Sequence, residues 1–105
     1  MQDSDFNDLV DQLVEQLEDQ LDEIDADLDI DASGGLLRIG FPDHSAIILS
    51  RQLPLHEIWI AAVSGGFHLA CTESGFYCKT TEETLAQLLS RTVSEQLGEP
   101  VSLLG

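Results

Sequence analysis

Basic residues are almost missing from this chain. Lys and Arg number 4 in 105 residues (Arg38, Arg51, Lys79 and Arg91), against 20 Asp and Glu, and the formal net charge is −16. That balance argues against nucleic acid as a direct partner, because neutralising phosphates takes Lys and Arg. No apolar run approaches the roughly 18 residues that a membrane span needs. The opening Met1-Gln2-Asp3-Ser4-Asp5 has neither the positive nor the apolar region of a secretory signal. The only cysteines, Cys71 and Cys78, form no CxxC. They read as reduced thiols in a cytoplasmic protein and as small core residues. His44, His56 and His68 form neither HxxxH nor HxH, so each is read as a surface residue rather than a metal ligand. No Ser sits in GxSxG, and Gly34-Gly35 and Gly65-Gly66 lack a phosphate-loop pattern. A solvated acidic face gives no carboxyl a reason to hold a proton at neutral pH. The chain is therefore expected not to be an enzyme.

What is present is one domain's worth of sequence, 1–105, with 43% hydrophobic residues, enough for a single core. Residues 4–24 carry Phe6, Leu9, Val10, Leu13, Leu17, Leu21 and Ile24 at steps of three and four, which predicts an amphipathic helix capped by Asp3 or Ser4. Over 25–31 the period changes to two. Asp25, Asp27, Asp29 and Asp31 alternate with Ala26, Leu28 and Ile30, which predicts a strand with carboxylates on one face. Short apolar segments at 36–41, 46–50, 57–63, 67–72 and 76–79 are separated by Gly- and Pro-containing turns, as in an antiparallel sheet. A second helix is expected after a Thr80/Glu83 capping box, with Leu85, Leu88, Leu89 and Val93 inward and Gly98 and Pro100 as its stop. The order helix, five or six strands, helix indicates an α+β fold with both terminal helices on one face of the sheet.

The acidic residues are not spread evenly. Of the 20, 13 lie between Asp3 and Asp31, and no Lys or Arg precedes Arg38. General surface acidity, for solubility or salt adaptation, would distribute them over the whole chain. On the first helix Asp11/Glu15, Glu15/Asp19, Glu18/Asp22 and Asp19/Glu23 are like-charged i,i+4 pairs. Together they oppose the helix by on the order of 1–2 kcal/mol at low salt. One Lys would relieve part of that, and none is there. If the acidic strand lies beside the helix end, the two rows form one negative ridge. Carboxylate oxygens suit hard cations, ferric iron more than ferrous. The spacing is not an EF-hand. Counting from Asp25, positions six and twelve are Ile30 and Leu36, and from Asp29 position twelve is Gly40. Without a preformed cage, metal binding would be weak, multiple and salt-sensitive. A docking face for a basic protein surface is the other use, and the two can coexist.

The segment Glu57-Ile58-Trp59-Ile60-Ala61-Ala62 places Ile58, Ile60 and Ala62 on one face and Glu57, Trp59 and Ala61 on the other. The only tryptophan is thus expected on the sheet face that no helix covers. It is either an interface anchor or a ring packed on neighbours such as Arg51 or His68.

Taken together, these segments resemble the frataxins, specifically their bacterial CyaY branch. The likeness covers essentially the whole chain. It includes Asp3-Ser4-Asp5-Phe6, the run from Leu21-Asp22-Glu23 to Asp31, and the Gly34-Gly35 turn. It continues through the stretch Arg51-Gln52-Leu53-Pro54-Leu55-His56-Glu57-Ile58-Trp59-Ile60-Ala61, then Gly65-Gly66-Phe67-His68 and the closing helix. The departures are Ser50, where the family usually has Asn, and a turn at 31–35 slightly shorter than in close relatives. The resemblance implies a frataxin-like α-β-α sandwich. It also implies weak surface binding of iron (Fe2+/Fe3+) by Glu18, Asp19, Asp22, Glu23, Asp25, Asp27, Asp29 and Asp31. Partner binding is implied through Glu18, Asp19, Asp22, Glu23 and Trp59, to a cysteine desulfurase and with it the cluster scaffold protein. The expected role is to modulate iron–sulphur cluster assembly. Two other readings stand beside it: an iron storage or buffering protein acting through the ridge alone, and a polyanion mimic that blocks a basic partner. Self-repulsion at −16 predicts a monomer without metal.

Overall fold

The structure is a computed structural model that describes residues 1–104. The chain runs α1 (Asp3–Asp22), β1 (Asp29–Ser33), β2 (Leu36–Gly40), β3 (Ala46–Gln52), a short 3-10 turn at Leu53–Leu55, then β4 (Glu57–Ala62). It continues with β5 (Gly65–Thr72), β6 (Gly75–Cys78), β7 (Glu83–Thr84) and α2 (Leu85–Leu97). All seven strands form one antiparallel meander in chain order. The α+β architecture expected above is present. The sheet has seven strands rather than five or six, because β7 is only two residues long and too short to show a period.

The inward positions follow the alternation. Leu37 and Ile39, Ile47 and Leu49, Ile58 and Ile60, Leu69, Phe76 and Cys78 are all buried. Against them α1 lays Phe6, Val10, Leu17 and Leu21, and α2 lays Leu85, Leu88, Leu89 and Val93. Each such side chain contributes about 1.5–3 kcal/mol of burial. Cys78 is a core residue as expected, whereas Cys71 is half-buried.

Four local expectations are corrected. The N-cap of α1 is Gln2, whose N–H is met by Asp5 Oδ2 at 3.4 Å. The acidic strand begins at Asp29, not residue 25. Residues 24–28 instead fold tightly on themselves, with Ala26 N–H bonded to Ile24 O and Leu28 N–H to Ala26 O. The capping box of α2 is Thr84 with Gln87, at 3.2 and 2.9 Å, four residues later than Thr80/Glu83. Glu83 is spent in β7 instead. Finally, His56 is not merely a surface residue. It adopts a left-handed backbone with φ 50°, stacks on Phe6 at 5.1 Å, and bonds Asp3 Oδ1 at 2.8 Å.

A closing segment, 99–104, runs back between the two helices. Leu103 is buried, and its N–H bonds Ser90 Oγ. Val101 N–H bonds Ser94 Oγ, and Leu104 N–H bonds Gln20 Oε1, all three at 2.8 Å.

Candidate functional site

The carboxylates of the ridge occupy three kinds of backbone. Glu18, Asp19 and Asp22 lie on the last turns of α1, and Glu23 is its C-cap. Asp25 and Asp27 sit in the folded connection, both exposed. Asp29 and Asp31 are on the edge strand β1, opposite Gly40 and Arg38. Ile30 pairs with buried Ile39 and packs on the core. Alternation therefore turns Asp29 and Asp31 to the face away from the helices. The ridge starts on the helix layer and wraps around the sheet edge. It is not two rows side by side on one face, and only two of the four aspartates belong to a strand.

Charge compensation stops abruptly along α1. Asp3 is met by His56, and Asp11 by Arg51 Nη2 at 2.7 Å. Arg51 also donates to Asn7 Oδ1 at 3.2 Å. Among the described residues, no carboxylate from Glu15 to Asp31 makes an ion pair. Elsewhere among the described residues several acids are partnered, although Asp8, Glu73, Glu82 and Glu99 form no ion pair. The Asp43 carboxyl is held below its ordinary value because the Ser45 hydroxyl and backbone N–H donate to it, at 2.6 and 2.9 Å. Arg91 holds the Glu83 carboxyl down through two hydrogen bonds at 2.9 and 2.8 Å.

Among the described residues no three His, Cys, Asp or Glu side chains converge on a common point. The donor set is right for a hard cation, but it is splayed along an edge. Such a set fits weak, exchangeable binding and not a preformed cage.

The second part of the site is the open sheet face. The row across it is Leu36, Ser50, Trp59, His68 in register on β2 to β5. Trp59 is half-buried. His68 stacks on its indole with centroids 4.2 Å apart and planes 10° apart. Its Nε1–H donates to Glu57 Oε1 at 2.8 Å. Arg51 plays no part here. Its register partner is buried Ile58, so it lies on the helix face. Of the two neighbours expected to pack on the tryptophan, only His68 does so. Glu57 is the contact that the sequence reading missed. It shares strand parity with Trp59, and that period-two spacing was the signal available.

The comparisons with known proteins agree with this geometry. A relative from Pseudomonas aeruginosa, named iron-sulfur cluster assembly protein CyaY, is 46% identical over 107 aligned positions, spanning 100% of this chain and 99% of the relative. Another of the same name from Azotobacter vinelandii is 40% identical over 96, spanning 90% and 87%. The solved frataxin from Psychromonas ingrahamii superposes with a TM-score of 0.88 at 33% identity, covering 97% of both chains. Yeast frataxin shares the fold, with a TM-score of 0.65 at 20% identity over 89% of this chain and 77% of that one. Residues 1–99 match the model of the frataxin-like domain, and with a wrapped acidic edge, an open tryptophan face and relatives alike from end to end, the chain belongs to the frataxin-like family.

Proposed function

We propose that this chain is an accessory protein of iron–sulphur cluster assembly, not an enzyme in its own right, that docks on a cysteine desulfurase in the cytoplasm. The contact is made by Glu18, Asp19, Asp22 and Glu23 with Trp59. Asp25, Asp27, Asp29 and Asp31 extend the negative edge, where iron is held weakly as cargo. The relatives named for cluster assembly support the setting. The observation that carries the docking role is the unpaired acidic run from Glu15 to Asp31. Its mutual repulsion opposes folding and is relieved only when cations approach. No helix among the described residues is long and apolar enough to cross a membrane.

The test is a titration with the cysteine desulfurase of the same organism at low and moderate salt. It is repeated on the triple variant Asp19→Lys, Asp22→Lys, Glu23→Lys and on Trp59→Ala. Docking predicts saturable binding that weakens with salt, disappears in the triple variant and is reduced in Trp59→Ala. Absence of binding at low salt, with iron still taken up, would leave iron storage through the ridge as the function. Storage needs the carboxylates only and is indifferent to Trp59.

A further inference from the structure

The Trp59 indole is held in a way that leaves one of its two faces free. His68, its neighbour on β5, covers the first face by stacking. The second face is turned toward β3, where the residue in register is Ser50. Beyond Ser50 the next side chain in the row is Leu36 on β2, 48% exposed. A small residue thus lies between two tall ones. The strands bearing Leu36 and Trp59 are two spacings apart, about 9.6 Å. At that spacing one planar group in the slot over Ser50 would touch both walls, beside the Gln52 side-chain amide that donates to Ser50 Oγ at 3.3 Å. Beside it the indole borders a shallow hollow of about 190 Å³, whose lining includes Ile48, Ser50, Trp59, Ala61, Gly66 and His68.

The electrostatics of the slot select a cation. The indole N–H is already committed to the Glu57 carboxylate, so the ring has no donor left to offer a partner. That charge-assisted bond places negative charge at the ring's rim, and the ring face is itself negative. No Lys or Arg occupies the row Leu36, Ser50, Trp59, His68, and the whole molecule carries −16. A flat, weakly hydrated cation that stacks is a guanidinium, rather than the compact ammonium of Lys.

We infer that the free face of Trp59 receives an arginine side chain of the basic protein partner, sandwiched between the indole and Leu36 over Ser50, with Glu57 as its counter-ion. The inference rests on the docking reading above and names the partner residue that this reading leaves open. Glu57 and His68 are positioning residues, because they fix the indole upright with its second face clear.

The experiment titrates the full chain with a dye-labelled hexa-arginine peptide at low salt and reads two signals. Dye anisotropy reports binding anywhere on the molecule. Emission of Trp59, the sole tryptophan, reports the slot. The expected result is that both saturate together, and that a hexa-lysine peptide of equal charge changes the emission far less. Ser50→Leu fills the slot, and should abolish the emission change and weaken binding by about fivefold while the ridge still binds. Glu57→Gln keeps the acceptor oxygen for the indole but removes the charge, and should weaken binding by about threefold. Peptide binding without any emission change, or an unaltered response in Ser50→Leu, would overturn the arginine slot and leave ridge docking intact. Absence of anisotropy change at low salt would sink both.

Discussion

The two helices cover the same sheet face, yet their outward faces are built on opposite terms. On α2 a capping box of Thr84 and Gln87 meets the first turn, and Gly98 closes the last in the left-handed region. Its one cation, Arg91, grips Glu83 with two bonds, reaches Glu95 at 3.2 Å and lies 5.5 Å above the Phe67 ring. Neither helix has a basic residue in its last turn, but the C-cap of α1 is a glutamate in the right-handed region where α2 has Gly98. The carboxylates of α1 are paired only at Asp3 and Asp11. One helix is finished for stability. The other gives up stability along its second half and keeps the charge. That difference in cost is the ground on which the docking proposal above places the contact on α1.

If that is right, α1 is held down by its inner face and its N-terminal half. Phe6 is fully buried, and packs on His56 at 5.1 Å and edge-on to Phe76 at 6.0 Å. Phe6→Ala should cost about 3–5 kcal/mol in urea unfolding. A cost below about 1 kcal/mol would mean that α1 is not anchored there, and the contrast between its two halves would fail.

The outer face should respond with the opposite sign. Asp19→Lys with Asp22→Lys puts a Lys four residues after Glu15, four after Glu18 and four before Glu23. Three repulsive pairs become attractive, and positive charge is added near the helix C-terminus. The double variant should be more stable by about 1–2 kcal/mol at low salt, although it binds the basic partner more weakly. The gain should shrink as salt rises from about 20 to about 300 mM, because screening relieves the wild-type repulsion anyway. A double variant that is less stable would show the carboxylates to be structural.

Most of this contrast was legible in the sequence, and the parts that were not share a cause. The apolar stripes at Phe6–Leu21 and Leu85–Val93 and the inward parity of Ile58 and Ile60 are periodic, so they could be read directly. The Asp25–Asp31 alternation was read as a strand because period two is the strand period. Four of its residues are instead spent in turning the chain from the helix layer to the sheet edge. Exposure still alternates there, with Asp25 and Asp27 exposed and Ala26 and Leu28 half-buried, so the pattern persisted without the hydrogen bonds. The α2 cap was misplaced because Thr80/Glu83 and Thr84/Gln87 both satisfy the same local spacing. Only the pairing of Tyr77 with Thr84 and Cys78 with Glu83, a non-local contact, decides between them. The Trp59 slot depends on cross-strand register, which no single strand carries.

The Glu83–Arg91 pair gives the comparison a pH signature. Arg91 holds the Glu83 carboxyl below its ordinary 4.5. A carboxyl whose folded value is lowered stabilises fully above its unfolded value, and that contribution is lost as pH falls through the folded value. Wild type should therefore exceed Glu83→Gln in urea midpoint at pH 7, and the gap should close as pH drops below about 4.5. With Arg91 35% exposed at its side chain, solvent screening keeps the effect modest. A gap that is constant with pH would assign the loss to packing instead.

The smallest effect concerns the helix ends. Gly98 has φ 79°, and a Cβ there would meet no atom within 4 Å, so Gly98→Ala is strained by backbone conformation alone. It should cost about 1 kcal/mol. The matching change on α1, Glu23→Gly, meets a right-handed cap with φ −79° and has no left-handed strain to release. It removes one carboxylate from the crowded end and adds chain entropy to the unfolded state, two terms of opposite sign. The net should fall within about 0.5 kcal/mol of zero. If Glu23→Gly instead stabilised by as much as Gly98→Ala destabilises, the acidic end of α1 would be limited by its cap geometry and not by its charge.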